Sequence, residues 1–334
     1  MLAYIPYPSW IHPQIVPFLP LRWYGLMYVL AFAITYLLFM YQVRQRKLEV
    51  KADLVLDMFF WAILGLLVGA RAFSVLIYTP RGFYLQHPLQ IILPFAIVNG
   101  RLQMTGIAGM SYHGGLVGAV IALVIYMRVK KLSILDWGDM LVAGIPLGYT
   151  FGRLGNFINA ELYGRVTTVP WGMVFPGGEV PAGDPGVKEF ASALGIPTTG
   201  AGFVNLPRHP SQLYEALFEG IVLWLILWFI ARRRKPYNGF VIACYMIGYG
   251  VFRFFIEYAR EPDKGIGYPI TLVPLANPAI QFSPFNFTTG QILNVLLVAG
   301  AVIAMAAFKA RAQRALPEES APRPTGRKLR KKLK

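Results

Sequence analysis

The fold is decided by residues 23–47, which read WYGLMYVLAFAITYLLFMYQVRQRK. Residues 23–43 carry no charged side chain and are long enough to cross a bilayer, which takes about 20 apolar residues. Arg44, Arg46 and Lys47 follow at once, and basic residues in this place are typical of the cytoplasmic end of a membrane helix. The stretch therefore predicts a transmembrane helix whose C-terminal end is cytoplasmic.

Similar apolar segments recur along the chain, which is 56% hydrophobic and only 14% charged, whereas soluble domains carry about 25% charged residues. Seven membrane helices are predicted, at residues 23–43, 55–78, 112–127, 137–157, 212–231, 238–258 and 290–308. We therefore expect an all-α polytopic membrane protein in which residues 1–311 form a single transmembrane domain.

Basic clusters explain the net charge of +16. They follow predicted helices at residues 44–51, 128–131 and 232–235, and they fill the tail from residue 309 onward. With seven helices, every cluster is cytoplasmic if the N-terminus is extracytoplasmic and the C-terminus is cytoplasmic. Topology therefore accounts for the charge, and no nucleic-acid partner is expected. Residues 312–334 are expected to form a disordered tail.

Two connecting regions stand out. Residues 89–98 are apolar but contain Pro94 and are too short to span, so an interfacial helix or a re-entrant segment is expected. Residues 160–210 are rich in glycine and proline. They are expected to form an extracytoplasmic cap between the fourth and fifth helices.

Polar side chains inside apolar segments are the functional candidates, because each is costly in a bilayer. Gly152-Arg-Leu-Gly-Asn-Phe-Ile-Asn-Ala-Glu-Leu-Tyr-Gly164 is the densest such stretch. Helical spacing puts Arg153 and Asn156 on one face. The alternative is a polar helix end in which Arg153 only extends toward the bilayer surface.

A second polar stripe lies in Gly248-Tyr-Gly-Val-Phe-Arg-Phe-Phe-Ile-Glu257. Arg253 and Glu257 are four residues apart, which predicts an ion pair on one helix face, and Tyr249 extends the same stripe. The alternative is a pair that merely neutralises itself in a low-dielectric place.

Two histidine-containing segments and one aromatic segment begin predicted helices. His113 is a candidate proton acceptor, because histidine is the usual general base in proteins, or else a structural hydrogen-bonding group. In the segment from His209 to Glu215, Ser211 is expected to cap the fifth helix. Tyr24 begins the first helix, where aromatic residues also form an interfacial belt.

No metal or organic cofactor is expected. The single cysteine, Cys244, excludes an internal disulfide and a Cys-rich metal site. Asp136 and Asp139 stand at a helix start, where acids favour the helix dipole. The chain has no His-Glu-x-x-His, P-loop or dinucleotide-binding motif.

The stretch from Gly152 to Gly164 resembles the signature of the prolipoprotein diacylglyceryl transferases, Gly-Arg-x-Gly-Asn-Phe-x-Asn-x-Glu-x-x-Gly, at every fixed position. Residues 23–25, 113–116, 209–215 and 248–257 support the resemblance, whereas residues 177–206 and the tail match no motif of the family. The resemblance implies a multi-pass enzyme of the bacterial inner membrane. It transfers the diacylglyceryl group of phosphatidylglycerol to the lipobox cysteine of a preprolipoprotein, forms a thioether and releases glycerol phosphate.

The resemblance also implies where the site lies. The predicted catalytic residues are His113, Arg153, Arg253, Glu161 and Tyr24. The predicted phosphatidylglycerol contacts are Arg153, Asn156, Asn159, Gly164, Tyr249, Arg253 and Glu257. The base stays open between His113, Glu161 and Tyr24, or arginines that lower the pKa of the acceptor thiol.

Two other functions use the same residues. A transporter or channel for an anionic solute would employ the arginines for selectivity. A membrane scaffold would need none of them for chemistry.

Overall fold

The computed structural model describes residues 4–16, 21–78, 84, 91, 95–98, 101–104, 109–200, 202–262, 267–277 and 280–314. Contacts divide the chain into two units. One unit is Tyr36–Gly138, and the other joins Met1–Thr35 to Asp139–Lys334. The predicted tail beyond residue 314 lies outside the described residues.

Helices dominate both units. They are α1 (Trp23–Gln45), α2 (Ala52–Phe73, continued by a π-helical turn, Ser74–Tyr78), α3 (Tyr112–Val129), α4 (Ile134–Val142), α5 (Ile145–Ile158), α6 (Val187–Ala193), α7 (Ser211–Ala231), α8 (Phe240–Ile256, continued by a 3-10 turn, Glu257–Ala259) and α9 (Thr289–Arg314). Among the described helices, six are long and apolar enough to cross a membrane: α1, α2, α3, α7, α8 and α9. They match six of the seven predicted segments.

The prediction of one continuous helix at residues 137–157 was wrong. The chain forms two shorter helices there, α4 and α5, with a turn at Ala143 and Gly144. Pro146 lies at the start of α5. Proline has no backbone N–H and its ring blocks the preceding turn, so it suits a helix start and not a helix interior.

Three short two-stranded sheets accompany the helices in the part of the chain that the structure describes. β1 (Ile5–Pro6) pairs in parallel with β4 (Met173–Val174), whereas β2 (Phe95–Val98) with β3 (Arg101–Met104) and β5 (Glu179–Pro181) with β6 (Phe203–Asn205) are antiparallel.

β2 contradicts the first of the two alternatives predicted for residues 89–98, an interfacial helix, whereas the re-entrant segment stays a prediction. Residues 95–98 form a strand, and residues 89, 90 and 92–94 lie outside the described part of the chain. β-branched Ile97 and Val98 favour an extended backbone. Pairing with β3 supplies the hydrogen bonds that a helix would otherwise provide.

The unit Tyr36–Gly138 is built on close packing of α2 against α3. Gly65 and Gly69 on α2 lie against Gly114 and Gly118 on α3, and a Cβ added to Gly118 would overlap the carbonyl oxygen of Gly65. Small residues at this spacing let two membrane helices approach until their backbones touch. The Tyr126 hydroxyl also donates to the carbonyl of Leu54 (2.7 Å) and ties the far ends of the helices together.

The other unit holds α5, α7, α8 and α9 and the segment between α5 and α7. That segment corresponds to the predicted cap and has an apolar core of its own. Val187, Val204 and Leu206 form this core with Ile280, which comes from the loop before α9. Burial of these side chains joins the segment to the loop before α9.

We expect Gly118→Ala to destabilise the protein, because the new methyl group overlaps the α2 backbone. Overpacking of this kind costs about 1–3 kcal/mol. Gly115→Ala is the matched control, since a Cβ there meets only ordinary contacts. Thermal unfolding in detergent measures both variants, and an equal fall in unfolding temperature would contradict the proposed packing.

Candidate active site

Glu215, the fifth residue of α7, is the centre of a buried ionic cluster. Its side chain has no exposed surface and meets three guanidinium groups: Arg153 Nε at 2.7 Å, Arg253 Nη1 at 3.3 Å and Arg260 Nη1 at 2.5 Å. These arginines come from α5, from α8 and from the residue after its 3-10 turn. One carboxylate therefore joins three elements that are distant in the sequence.

Two further carboxylates complete the cluster. Glu257 Oε2 lies 3.2 Å from Arg253 Nε and 3.5 Å from Arg260 Nε, which confirms the predicted pairing of Arg253 with Glu257. Glu219 lies one turn after Glu215 on α7 and is 3.9 Å from Arg253 Nη1. We call Arg153, Arg253, Arg260, Glu215, Glu219 and Glu257 the arginine–carboxylate cluster.

The two kinds of side chain in the cluster differ in exposure. Glu215 and Glu219 are fully buried, whereas 16% of the Arg153 side chain and 15% of the Arg253 side chain are exposed. Arg253 Nη1 is buried and faces the carboxylates of Glu215 (3.3 Å) and Glu219 (3.9 Å). The carboxylates therefore contact the buried side of the arginines, and the exposed part of each guanidinium is the part that an anion can reach.

Tyr149 links α5 to α7 within this region. Its hydroxyl accepts a hydrogen bond from Arg153 Nε (2.7 Å) and donates to Glu219 Oε2 (2.5 Å). The Arg153 guanidinium also lies over the Tyr149 ring. These contacts restrict Arg153 to one orientation, because its Nε and one face of its guanidinium are both engaged.

The segment from Arg153 to Glu161 forms a chain of hydrogen bonds. Arg153 Nη1 donates to Asn156 Oδ1 (3.2 Å), and the predicted shared face of these residues is confirmed. Asn156 and Asn159 both donate to Glu161 Oε1, at 2.8 and 3.4 Å. Glu161 therefore acts on Arg153 through Asn156.

The backbone after α5 explains how Glu161 turns back toward Asn156. Ala160 and Leu162 have positive φ angles of 51° and 55°, a conformation that costs about 1–3 kcal/mol for residues other than glycine. The first turn of α7 compensates: Gln212 donates to the carbonyl of Glu161 (2.7 Å) and Ser211 to that of Leu162 (3.1 Å).

This use of Ser211 corrects the prediction that it caps α7. Helix α7 begins at Ser211 itself, its N-cap residue is Pro210, and no side chain caps it. The Ser211 hydroxyl is a donor to the strained turn, where an unpaired carbonyl would otherwise be buried.

Gly164 lies where three backbone segments meet. Its N–H donates to the carbonyl of His209 (2.8 Å), and an added Cβ would overlap the carbonyl oxygen of Ala259. Only glycine permits this approach. Close packing therefore requires glycine at position 164, in addition to the predicted role of Gly164 in substrate binding.

Tyr24 and Tyr249 both adjoin the cluster. The Tyr24 hydroxyl lies 3.0 Å from that of Tyr28 and within hydrogen-bonding reach of Asn156. Gly155 leaves room for the Tyr24 ring. Tyr249 lies one turn before Arg253, and its ring packs edge-on against Tyr149 at 6.3 Å.

His113 and His209, which lie where predicted helices begin, have different surroundings. His113 belongs to the unit Tyr36–Gly138, is exposed in the first turn of α3 and packs its ring against Tyr112. His209 belongs to the other unit, and its Nδ1 lies 3.2 Å from the Tyr214 hydroxyl. Burial, with a smaller effect of Arg165, lowers the pKa of His209 to about 4. Its ring is therefore neutral near pH 7.

Several residues of the site escaped sequence reasoning. The sequence patterns do not single out Glu219, Tyr149 or Arg260, and they mark Glu215 only as the end of the segment that begins the fifth helix. Two acids four residues apart in an apolar helix are costly in a membrane. The spacing of Glu215 and Glu219 in α7 is the sequence signal that could have identified both residues.

The acidic residues considered for metal binding have protein partners. Asp136 pairs with Arg46 (3.0 Å). Asp139 accepts hydrogen bonds from the backbone of Gly239 and Ile242, at the start of α8. Within the described ranges no three His, Cys, Asp or Glu side chains are grouped to hold a metal ion.

Comparison with known proteins gives consistent matches. The family model described as prolipoprotein diacylglyceryl transferase matches residues 11–307. Proteins named phosphatidylglycerol--prolipoprotein diacylglyceryl transferase are 49% identical in Treponema pallidum, over 92% of this chain and 97% of that protein, and 49% identical in Treponema denticola, over 91% and 94%. The protein of that name from Borrelia garinii is 41% identical over 91% of this chain and 93% of its own length.

We expect Glu215→Gln to destabilise the protein strongly, because three buried guanidinium groups lose their shared counter-charge. Breaking a buried ion pair costs about 3–5 kcal/mol. Glu219→Gln is the matched control on the same helix, since its nearest guanidinium nitrogen is 3.9 Å away. Thermal unfolding should show the larger fall for Glu215→Gln, and the reverse order would remove Glu215 from the centre of the cluster.

Proposed function

This chain belongs to the prolipoprotein diacylglyceryl transferase family, and we propose that its arginine–carboxylate cluster binds the phosphate of phosphatidylglycerol. The chain is a transferase that moves a diacylglyceryl group from phosphatidylglycerol to prolipoproteins, the first step of lipoprotein maturation. It is a multi-pass membrane protein of a bacterial family.

The acceptor atom is the thiol sulfur of the lipobox cysteine. Its thiolate, which is the nucleophilic form, attacks the glyceryl carbon of the lipid. A carbon–sulfur bond forms, the bond between that carbon and the phosphate oxygen breaks, and glycerol phosphate leaves with the electron pair. The thiol proton passes to a base, and the product is a thioether.

One observation carries the phosphate assignment: Arg153 and Arg253 converge on the same buried carboxylate while each keeps part of its side chain exposed. Guanidinium groups bind two phosphate oxygens at once and stay charged in an apolar environment. The exposed part of each guanidinium is therefore the part that a phosphodiester can contact.

The carboxylates of the cluster hold the arginines in place before the transition state forms. Negative charge grows on the phosphate as the carbon–oxygen bond breaks, so cations already fixed around it lower the barrier. Glu215 and Glu257 hold Arg153, Arg253 and Arg260 close together against their mutual repulsion. The protein therefore does not have to gather these charges during the reaction.

The remaining signature residues orient the lipid. Asn156 is fixed by Arg153 and Glu161, and we assign it, together with Asn159 and Tyr249, to the headgroup. Glu161 is proposed to position Asn156 and to contact the headgroup glycerol. Gly164 is assigned to the same site because its N–H donates to the carbonyl of His209, just before α7 begins.

His113 is the proposed base, because imidazole accepts a proton near neutral pH. Glu161 is a weaker rival, since its Oε1 already accepts two hydrogen bonds. Tyr24 is the other rival, and ionisation of a tyrosine in a membrane segment is costly.

The proposed topology has seven crossings in the inner membrane, with the N-terminus outside and the tail inside. Helices α4 and α5 together form the fourth crossing, since a broken helix is tolerated where protein surrounds it. Residues 1–311 then act as one catalytic domain and residues 160–210 as its extracytoplasmic cap.

A direct assay tests the function. Purified protein is incubated with phosphatidylglycerol and a lipobox peptide, and the peptide is analysed by mass spectrometry. A mass increase of one diacylglyceryl group on the cysteine is the expected result, and a peptide with Cys→Ser should stay unmodified. Flux of an anionic solute without any covalent product would favour a transporter and overturn the proposal.

We expect Arg253→Lys to lose activity by about 10²–10³-fold, the usual cost of one transition-state hydrogen-bond donor, even though the charge is kept. Lysine cannot bind two phosphate oxygens in a fixed plane. Arg233→Lys, in an exposed basic cluster, is the control and should keep normal turnover. Normal turnover of Arg253→Lys would refute its role at the phosphate.

We expect His113→Gln to lower turnover by about 10²–10⁴-fold at pH 7, the usual contribution of a general base. The defect should shrink toward pH 9, because the acceptor thiol then ionises without help. Rates of both proteins between pH 6 and pH 9 measure this. A defect that does not change with pH would assign His113 a structural role.

A further inference from the structure

We propose that a cavity beside the C-terminal end of α5 binds the acceptor polypeptide immediately after its cysteine, an inference that rests on the function proposed above. The cavity has a volume of about 780 Å³, within the range of about 300–1,000 Å³ that is usual for ligand sites. Four separate parts of the chain line it: residues 6–9 and 11–13, residues 158–160, residues 174, 176 and 177, and Asn205.

The walls of the cavity are held together by specific contacts. The Tyr7 hydroxyl donates to the carbonyls of Phe157 (2.9 Å) and Ile158 (3.0 Å) at the end of α5. β1 pairs with β4, and Asn205 Nδ2 donates to the carbonyl of Phe175 (2.7 Å). The cavity is therefore a formed feature of the fold and not a gap between loose loops.

The chemistry of the wall excludes a charged ligand. Among its described residues there is no Asp, Glu, Lys or Arg. A phosphate buried there would lose water without gaining a counter-charge, which is costly. Neither the lipid headgroup nor released glycerol phosphate fits this place.

The wall suits an extended, uncharged polypeptide. Pro6, Pro8, Pro13, Pro176 and Tyr7 supply rigid apolar surface, and Ser9, His12 and Asn159 supply polar groups. Proline-rich and aromatic surfaces are common where proteins bind extended chains. An acyl chain is a poorer occupant, because the wall lies outside the six candidate membrane helices and includes only the last residue, Ile158, of the proposed fourth crossing.

The cavity is connected to the phosphate site. Asn159 lines the cavity and donates to Glu161, which accepts from Asn156, which in turn binds Arg153. The acceptor must place its thiol at that site. The signal sequence before the cysteine is apolar and stays in the bilayer. The chain after the cysteine leaves the bilayer and needs a different surface, which the cavity provides.

Two acceptor peptides test the proposal, one that ends at its cysteine and one that continues for about six residues. With the purified full-length protein in phosphatidylglycerol vesicles, we expect the longer peptide to have a KM about tenfold lower, corresponding to about 1.4 kcal/mol. In Ser9→Trp, which fills the cavity, the two KM values should become equal, while the KM for phosphatidylglycerol stays unchanged. His12→Trp provides a second filling variant, since both positions are exposed.

Trp10→Ser is the matched control, because Trp10 occupies the same turn but is not part of the wall. It should keep the tenfold preference for the longer peptide. The proposal is overturned if both filling variants keep that preference, or if they raise the KM for phosphatidylglycerol instead, since the cavity would then bind lipid.

Photo-crosslinking separates this inference from the proposed function. The longer peptide carries a benzophenone two residues after its cysteine and is irradiated with the Arg253→Lys protein, so that no turnover is needed. Crosslinks within residues 6–13 or 174–177 support the cavity even if the transfer assay fails. Crosslinks confined to other regions overturn it.

Discussion

The contact of Glu215 with three arginines is the interaction on which the rest of its unit, the one that holds α5, α7, α8 and α9, depends. A guanidinium inside a membrane protein is costly unless a counter-charge accompanies it. Here one fully buried carboxylate serves three of them, from α5, α8 and the turn after α8. The positions of these elements are therefore coupled to one side chain at the start of α7.

The geometry of the first half of helix α7 supports these contacts of Glu215. It continues from Glu215 into a π-helical stretch, Ala216–Val222, a geometry that is frequent at functional sites. Gly220 in this stretch lies against Thr150 of α5, whose hydroxyl donates to the carbonyl of Ala216. The close approach brings Glu219 within reach of Tyr149. Packing and electrostatics thus support the same geometry.

The turn from Ala160 to Leu162 is the second constraint. It costs free energy in two left-handed residues and directs Glu161 toward Asn156 and Asn159. The same turn separates two regions with different chemistry, the cationic cluster on one side and the uncharged cavity on the other. In our proposals the first receives the lipid phosphate and the second the acceptor chain, so one strained segment aligns both substrates.

The sequence by itself located all six helices that are long and apolar enough to cross a membrane, among the seven it predicted, as well as the Arg253–Glu257 pair and the shared face of Arg153 and Asn156, because hydropathy and helical spacing are local properties. It also identified the family, because the signature from Gly152 to Gly164 is contiguous. Only the tertiary structure decided that Ser211 supports a turn instead of capping a helix, and that Glu215 is the shared counter-ion. The contacts of Ser211 with Leu162 and of Glu215 with Arg153, Arg253 and Arg260 join residues that are far apart in the sequence, and no local pattern encodes which partners folding will bring together.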